Sequence, residues 1–472
     1  MTVWKPKLKG YPHFDNLMSV KEGEALAADP VAVARHAFYP FIRYYQRWTR
    51  FAEKGKQGEV KKRPIRYAAR ADAFIYSYYR HLLAEAYEQR LSERGLGDTV
   101  LAYRRLMGAK GGKCNIDFAL DAVLDIRAYG TCCVVALDIS KFFESLDHEK
   151  LKAAWADLLG LPELPPDHYS VFRAMTRYSV IDRELLYERL GYFGVVGMTR
   201  KGLPIKGLLQ PAKAIPRKVC SNAEFRDAIV GGGGKPTLVR KNQRPYGIPQ
   251  GAPISDLLAN LYLLRFDEEV RARVTYLGGK YYRYSDDILL IVPIPVSDAT
   301  DLETWVQSKI REFGAKLKIK PSKCALFRFE GNGGDQTFTR ISGAQGRNGL
   351  EYLGFRYNGR GIYLRDSTLS AFQRKVVGSA RRAAFAAVRR YPNKSAADII
   401  ALFDTERFVQ RYGRVEDFEV KAHDVRKWTF WTYVTRAAAI LGPLGSPIRR
   451  QMRTKRKFIE AAVEKAIVEA AR

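Results

Sequence analysis

The sequence predicts an α+β fold in which a few strands pack against long helices. A strand, a tight turn and a second strand are indicated by residues 280–292, with Tyr284-Ser-Asp-Asp287 at the turn. A continuous apolar run from Cys132 to Leu137 is typical of a strand buried on both faces. Apolar residues recur at helical spacing between Arg70 and Arg94, and again from Asp366 onwards.

The charge of the chain favours a polyanionic partner. Its 80 Lys and Arg residues against 50 Asp and Glu give a formal net charge of +30, and nucleic acid is the first partner that such an excess suggests. The 27 Tyr, 24 Phe and 6 Trp residues offer faces on which bases could stack. A membrane surface is the alternative, but no run of 18 apolar residues indicates a spanning helix. We therefore predict no membrane partner.

The length and the cysteines bound the class of protein further. A chain of 472 residues that is 46% hydrophobic can form a large core divided over two or three lobes. Its five cysteines contain no Cys-x-x-Cys pair, which indicates neither a disulfide framework nor a zinc ribbon. The N-terminal residues contain no apolar signal region. We expect a cytoplasmic protein.

The first part of the chain is predicted to be helical with basic loops. Aromatic residues between Phe38 and Trp48 have a spacing that suits a packed helix, and residues 55–62 form a basic loop with glycines. Lys110-Gly-Gly-Lys113 could cradle a phosphate, although a plain turn is the alternative. A further helix is predicted over residues 117–128, before the strand that ends at Asp138.

Helices and one further hairpin are predicted after that strand. Residues 148–245 form a long, mainly helical insertion, and Gly247-Ile-Pro-Gln-Gly251 is a loop that another group approaches closely. Ser255 is the expected N-cap of the next helix. A hairpin is predicted over residues 350–364 with its turn at Asn358-Gly359, and a last helix starts at Ser446-Pro447.

Three carboxylates are the candidate catalytic centre. Asp286 and Asp287 are adjacent and repel each other when ionised, and a divalent cation compensates that repulsion. Oxygen ligands suit Mg²⁺. Asp138 follows a buried strand, which could present its carboxylate to Asp286. A solvated turn for the Asp-Asp pair and a helix cap for Asp138 are the alternatives.

Basic side chains cluster on the C-terminal helices. Such dense patches suit phosphate groups, with a solvated basic face as the alternative. The candidate nucleic-acid contacts are Arg381, Arg382, Arg449, Arg450, Arg453 and Lys455.

Three motifs in sequence order resemble successive motifs of reverse transcriptases. They are Asp138-Ile-Ser-Lys-Phe-Phe143, Gly247-Ile-Pro-Gln-Gly-Ala-Pro-Ile-Ser255 and Tyr284-Ser-Asp-Asp287. Lys323 and Leu353-Gly354 resemble the next two motifs of that family, and Lys62-Arg-Pro-Ile65 resembles its fingers. The resemblance implies a right-hand polymerase fold. Residues 1–60 would be an N-terminal extension, 61–365 the fingers and palm, and 366–472 a basic helical thumb.

The resemblance also implies the roles of single residues in an RNA-directed DNA polymerase. Two Mg²⁺ ions, or Mn²⁺, would be bridged by Asp138 and Asp286 with help from the Ile139 carbonyl, and Asp287 would be a weaker ligand. The remaining roles are Phe143 as the ribose gate that selects dNTPs, Gln250 and Gly251 on the nucleotide and template side, Lys113 on the triphosphate, and Lys323 as proton donor to pyrophosphate.

Shorter matches resemble the second type of bacterial defence-associated reverse transcriptase. They are Lys7-Leu-Lys-Gly-Tyr-Pro-His-Phe14, Arg63-Pro-Ile-Arg-Tyr67 and Ala252-Pro-Ile-Ser-Asp256. This resemblance implies a structured non-coding RNA as template, repetitive cDNA as product and a role in antiphage defence. The primer stays open between an RNA hydroxyl and a tyrosine of the protein. Alternative hypotheses are an enzyme of the group II intron or retron type, a template-independent DNA polymerase of the abortive-infection kind, and an inactive RNA-binding scaffold.

Overall fold

A computed structural model gives the fold over residues 3–49, 60–108, 111–199, 202–331, 334–344, 346–412 and 429–472. Most of the basic loop predicted at 55–62, and Lys110 of the glycine loop, lie outside these described residues. No helix in the described ranges combines the length and the apolar character needed to cross a membrane.

Helices and short strands alternate along the whole chain. In chain order, the helices are α1 (Val20–Ala28), α2 (Pro30–Arg35), α3 (Arg70–Glu93), α4 (Asn115–Tyr129), α5 (His148–Leu159), α6 (Pro166–Thr176), α7 (Arg183–Arg189), α8 (Asn222–Glu224), α9 (Ser255–Tyr262), α10 (Leu264–Tyr276), α11 (Val296–Glu312), α12 (Asp366–Arg390), α13 (Ala396–Leu402), α14 (Thr405–Tyr412), α15 (Phe430–Ile440), α16 (Ser446–Met452) and α17 (Lys455–Ala471). The strands are β1 (Phe41–Thr49), β2 (Val60–Tyr67), β3 (Met107–Gly108), β4 (Gly111–Gly112), β5 (Cys132–Asp138), β6 (Ser179–Asp182), β7 (Phe193–Met198), β8 (Pro204–Leu208), β9 (Arg240–Lys241), β10 (Lys280–Tyr284), β11 (Asp287–Val292), β12 (Ala325–Glu330), β13 (Thr337–Gly343), β14 (Leu350–Tyr352), β15 (Phe355–Tyr357) and β16 (Ile362–Leu364).

A five-stranded antiparallel sheet forms the centre of the molecule. Its strand order is β10-β11-β5-β12-β13, so that the predicted hairpin lies next to the predicted buried strand. Side chains of β5 alternate between two cores, as a strand covered on both faces requires. Val135 packs into the core with α9, α10 and α11, whereas Val134 packs with α4, β15 and α15. The predictions for both segments are confirmed.

The helix predicted around Phe38 to Trp48 is wrong. This segment contains strand β1, which pairs with β2 in antiparallel fashion and with β6 in parallel fashion. The spacing of its aromatic residues fits either period, and the pairing with distant strands decides the outcome. The sheet β2-β1-β6-β9 therefore joins residues on both sides of position 60 with part of the 148–245 stretch.

The description of residues 148–245 as mainly helical also needs correction. Helices α5, α6 and α7 are present, but so are β6, β9 and the hairpin β7–β8. The hairpin sequence alternates glycine with β-branched residues, as in Gly194-Val-Val-Gly197, which disfavours a helix.

Three boundaries differ from the predictions for local reasons. Helix α9 begins at Ser255, whose hydroxyl donates to the Pro249 carbonyl at 2.6 Å and does not cap the helix. The hairpin at 350–364 has three strands, because Leu353 and Gly354 both adopt left-handed backbone conformations and make an additional turn. The last helix is divided into α16 and α17.

The C-terminal helices form a separate core. Helix α12 packs along α17, and Val376, Ala380, Val463 and Ile467 are buried between them and their neighbours. Burial of such side chains stabilises the packing by roughly 1.5–3 kcal/mol each. The predicted helix at Asp366 is confirmed, as is its position after the three-stranded sheet.

Candidate active site

The sheet brings the three candidate carboxylates together. Asp138 is the last residue of β5, and Asp287 is the first residue of β11. The two are directly paired across the antiparallel ladder, so their Cα atoms lie about 4.5–5.5 Å apart. Asp286 precedes them in the turn, and its carbonyl accepts a hydrogen bond of 2.9 Å from the Ile139 amide. Residues far apart in sequence thus form one acidic cluster.

Burial and mutual repulsion raise the pKa values of this cluster. The pKa of Asp287 rises to about 7, first because of burial and then because Asp286 and Asp138 repel its negative charge. The pKa of Asp286 is also raised, by burial and then by Asp138. Lys323 and Arg365 partly offset the effect at Asp287. The cluster therefore lacks positive charge in proportion to its carboxylates.

Lys323 lies in the cluster, as the sequence motif suggested. It occupies a short 3₁₀ turn before β12, and its ammonium group donates a hydrogen bond to the Asp138 carboxylate. The turn is fixed to the end of β5, since the Lys320 amide donates to the Asp138 carbonyl at 3.0 Å. Arg63 of β2 also lowers the pKa of Asp286. These cations are positioned to bind an anionic group beside the carboxylates.

The donor set suits a hard divalent cation that is completed by a substrate. In the described part of the chain, no three His, Cys, Asp or Glu side chains are arranged as a ready-made cage for a metal ion. Mg²⁺ is commonly held by one or two carboxylates together with substrate phosphates and water. Asp138, Asp286 and Asp287 offer oxygen ligands of this kind, and the raised pKa values of the Asp-Asp pair indicate an unneutralised negative charge.

A buried ion pair supports the turn that carries Asp286. Arg283 and Asp267 are both fully buried and lie 2.6 Å apart. Arg283 also donates to the carbonyl of Ser285 and to the side-chain oxygen of Asn260, both at 3.1 Å. Ser285 itself has a left-handed backbone, with φ of +60°. The hydrogen bond from Arg283 stabilises this strained turn.

Tyr103 is a second support that the sequence did not reveal. Its backbone is left-handed with φ of +66°, and its hydroxyl lies 3.1 Å from the Ser285 hydroxyl. Its carbonyl accepts a hydrogen bond from Arg80, which also binds Asp256 at the start of α9. The Tyr103 residue is 44% exposed beside the turn. Backbone strain leaves no pattern in a sequence, so this residue could not be found there.

The segment after Asp138 packs against the glycine loop. Phe143 lies in a 3₁₀ turn, and its carbonyl accepts a hydrogen bond of 2.8 Å from Ile248. Gly247 and Gly251 both have positive φ angles. A Cβ atom at Gly247 would lie 2.9 Å from the Glu144 carbonyl oxygen. The predicted close approach is therefore confirmed, and the approaching group is the protein backbone.

Gln250 and Gly251 face strand β2 through their backbones. The Gln250 carbonyl accepts a hydrogen bond of 2.9 Å from the Arg66 amide. A Cβ atom at Gly251 would meet the Arg66 carbonyl oxygen at 2.6 Å, so any side chain there would displace one of the two segments. The loop thus joins β2, the Phe143 turn and α9 into one wall.

Lys113 has a local partner. Its ammonium group lies 2.8 Å from the Asp121 carboxylate of α4. Among the described contacts, none joins Lys113 to the three carboxylates. Its assignment to the triphosphate would require this ion pair to break.

The C-terminal basic residues divide into exposed and engaged groups. Arg449, Arg450 and Arg453 are exposed at the end of α16. Lys455 lies over the Phe458 ring at 5.9 Å. On α12, Arg381 approaches Glu469 at 3.9 Å, and Arg382 donates to the Ser379 hydroxyl at 3.0 Å.

Part of the chain matches a known family. Residues 234–357 match the family model described as reverse transcriptase (RNA-dependent DNA polymerase). The matched segment contains the glycine loop, Asp286, Asp287 and Lys323, and begins after Asp138. No curated protein matches the chain.

Solved telomerase structures are similar to the chain at low identity. Apo telomerase from Candida tropicalis has a TM-score of 0.36 and 12% identity, with 90% of this chain and 65% of that chain covered. The form truncated from the C-terminal domain has a TM-score of 0.37 and 9% identity, with 69% and 55% covered. Telomerase from Candida albicans in complex with a fragment of telomeric RNA has a TM-score of 0.34 and 12% identity, with 93% and 65% covered. The chain spans less than two thirds of the length of these proteins.

The family match and the site agree with each other. The matched residues supply the hairpin and the loop of the acidic cluster, and the same antiparallel sheet supplies Asp138 from outside the match. The α+β fold predicted from the sequence is that of a right-hand polymerase. The chain therefore contains a domain of the reverse transcriptase, or RNA-directed DNA polymerase, family.

Proposed function

We propose that the protein is an RNA-directed DNA polymerase that uses Asp138, Asp286 and Asp287 for phosphoryl transfer. The observation that carries this proposal is the direct pairing of Asp138 with Asp287 across β5 and β11. This pairing creates a concentrated negative charge with a pKa of about 7 at Asp287. Such a cluster suits divalent cations that act on a triphosphate.

The residues of the chain would divide the work as follows. Two Mg²⁺ ions, when bound, supply charge neutralisation for the attacking and leaving oxygens. Asp138 and Asp286 would hold both ions with the Ile139 carbonyl, and Asp287 would be the weaker ligand. Lys323 is close enough to the cluster to donate a proton towards pyrophosphate. Phe143 would exclude a 2′-hydroxyl and thereby select dNTPs.

We further propose a structured non-coding RNA as template and repetitive cDNA as product, in antiphage defence. The support is the resemblance of the N-terminal motif to one type of defence-associated enzyme. That motif is integrated into the fold, because Tyr11 and Asp15 bind Arg70 at the start of α3. Enzymes of the group II intron or retron type remain the alternatives within the same chemistry, and a template-independent DNA polymerase and an RNA-binding scaffold are the others.

The test is nucleotide incorporation by the purified protein with its co-purified RNA. Wild-type protein is compared with Asp286→Ala and with the exposed control Asp301→Ala on α11. Each is given dNTPs or rNTPs, with and without RNase treatment. We expect long DNA only from dNTPs and intact RNA, with a loss of at least about 1,000-fold for Asp286→Ala and none for Asp301→Ala, because only Asp286 belongs to the cluster.

The other outcomes separate the alternatives. DNA synthesis that survives RNase points to a template-independent polymerase, and absence of synthesis under all conditions points to the scaffold. Sequencing of the DNA then distinguishes repeats of one small RNA from the copy of an intron. A phage-plating assay with Asp286→Ala tests the role in defence.

A further inference from the structure

A basic cavity of about 400 Å³ lies between the N-terminal segment and helix α3. Five cationic side chains line it, and the remaining lining residues are apolar or neutral. The cationic residues are Lys5, Lys7, Lys9, Arg70 and Arg80. No carboxylate of the described residues lines this cavity. Like charges held so close together repel one another unless an anion lies between them.

The three lysines face the cavity because of their spacing. Side chains two positions apart lie on the same side of an extended segment, and Lys5, Lys7 and Lys9 follow this period. Lys5 and Lys7 are exposed, so they are free to move towards a ligand. Trp4 holds the segment in place, since its ring packs on Tyr78 of α3 at 5.0 Å.

Arg70 makes this cavity a built site and more than a charged surface. Arg70 is 2% exposed, and its two terminal nitrogens donate to Asp15 and to the carbonyls of Tyr11 and Arg217. Its remaining nitrogen, Nε, is buried without a hydrogen-bond partner among the described residues. A buried donor without a partner is unfavourable by about 1–3 kcal/mol. An anion in the cavity would offer an acceptor.

The cavity adjoins the wall that carries the glycine loop. Pro253 of the loop lines it directly. Arg80 lines it as well and binds the Asp256 carboxylate at 2.8 Å, immediately after the loop. The opposite side of the same loop packs on Arg66 and the Phe143 turn. A strand that reaches the loop from outside the carboxylate cluster would therefore pass the basic cavity.

We propose that this cavity binds the phosphate backbone of the single-stranded RNA template ahead of the carboxylate cluster. The proposal rests on the proposed function, since it assigns the loop side of the cluster to the template. Phosphate is the shared chemistry with a second source, the triphosphate of a dNTP. The lysines read the backbone and not the base sequence, so binding should be independent of sequence.

The experiment compares the full chain with Lys5→Ala/Lys7→Ala/Lys9→Ala. A matched control, Lys150→Ala/Lys394→Ala/Lys465→Ala, removes the same charge from exposed positions on α5, before α13 and on α17. Binding to two primer–template duplexes, one blunt and one with a ten-nucleotide RNA overhang, is measured by fluorescence anisotropy across salt concentrations. The KM for dNTP is measured with the same substrates. The lysines are exposed or half-buried, and thermal unfolding confirms that the variants fold.

We expect the N-terminal variant to lose on the order of tenfold in affinity for the overhang substrate alone. The slope of log K against log salt should fall by about 2, since each phosphate contact on a single strand contributes about 0.7. Equal losses for the control variant, or for the blunt duplex, would overturn the proposal. A higher KM for dNTP with unchanged overhang binding would assign the cavity to the nucleotide and also overturn it. If wild type binds the overhang in this way but makes no DNA, the RNA site stands and the polymerase function fails.

Discussion

At the scale of single residues, the cost of concentrating charge is most evident at Asp287. Its strand position is fixed by the pairing of β11 with β5, so it cannot move away from Asp138. Its pKa of about 7 expresses the burial and the repulsion that this fixed position creates. A site that repels its own charge has a strong preference for a bound cation, and this preference is stored in the backbone register.

The raised pKa predicts a pH-dependent stability in metal-free buffer. Between about pH 4 and pH 7 the folded state keeps a proton on Asp287 that the unfolded chain releases, so the free energy of unfolding falls as pH rises. The fall is at most about 4 kcal/mol, from a shift of about three pKa units. Urea unfolding with EDTA should show this fall in wild type and a much smaller one in Asp287→Asn. An exposed control, Asp301→Asn, should behave as wild type, and an unchanged slope in Asp287→Asn would contradict the assignment.

Phe143 should determine the choice of sugar. Its ring lies in the turn that packs on the glycine loop, so a smaller side chain would leave space next to the expected nucleotide. We expect Phe143→Val to incorporate rNTPs at least about tenfold more efficiently relative to dNTPs than wild type does. The measurement is the ratio of kcat/KM for the two nucleotides. Phe142→Val, which removes a buried neighbouring ring, serves as the control and should lower stability without changing that ratio.

At the scale of elements, local patterns predict what local sequence determines. Strand β5 and the β10–β11 hairpin were found because a buried run and an alternating pair are visible in a few residues. Strand β1 was misread as a helix because its partners β2 and β6 lie elsewhere in the chain. Candidate residues Asp138, Asp286 and Lys323 were found by motif, and the structure brings them together. Tyr103 was missed because its support of the turn depends on backbone strain.

The loop that contains Tyr103 should position the catalytic turn. We expect Tyr103→Phe and Ser285→Ala each to lower kcat several-fold, with little change in the KM for dNTP, because each removes one side of the same hydrogen bond. The double variant should lose no more than either single variant, which would show a coupled pair. Steady-state kinetics and thermal unfolding measure this. Independent, additive losses would mean that the two side chains act separately.

At the scale of the whole molecule, the basic charge is spread over two regions with different expected partners. The C-terminal helices present Arg449, Arg450 and Arg453 to solvent, beside a core of their own. The N-terminal cavity lies against α3 on the other side of the glycine loop. A duplex product and a single-stranded template would place their phosphates in these two regions.

This division predicts different salt dependences for the two regions. The variant Arg449→Ala/Arg450→Ala/Arg453→Ala should weaken binding to a blunt RNA–DNA duplex and lower its salt slope by between about 2 and 3, at up to about 0.9 per phosphate contact. The same anisotropy assay measures it, and Lys150→Ala/Lys394→Ala/Lys465→Ala is again the control. A variant with the wild-type slope would place the duplex elsewhere.

The pairing of β5 with β11 also determines when the protein can become active during its synthesis. The strand that ends in Asp138 leaves the ribosome long before the strand that begins with Asp287, and β12, which follows Lys323, is later still. Closing so long a loop is entropically unfavourable, so the acidic cluster should form late in folding. A nascent chain would thus bind RNA through its N-terminal lysines before it could copy any. The order of the strands in the sequence allows the template to be captured first.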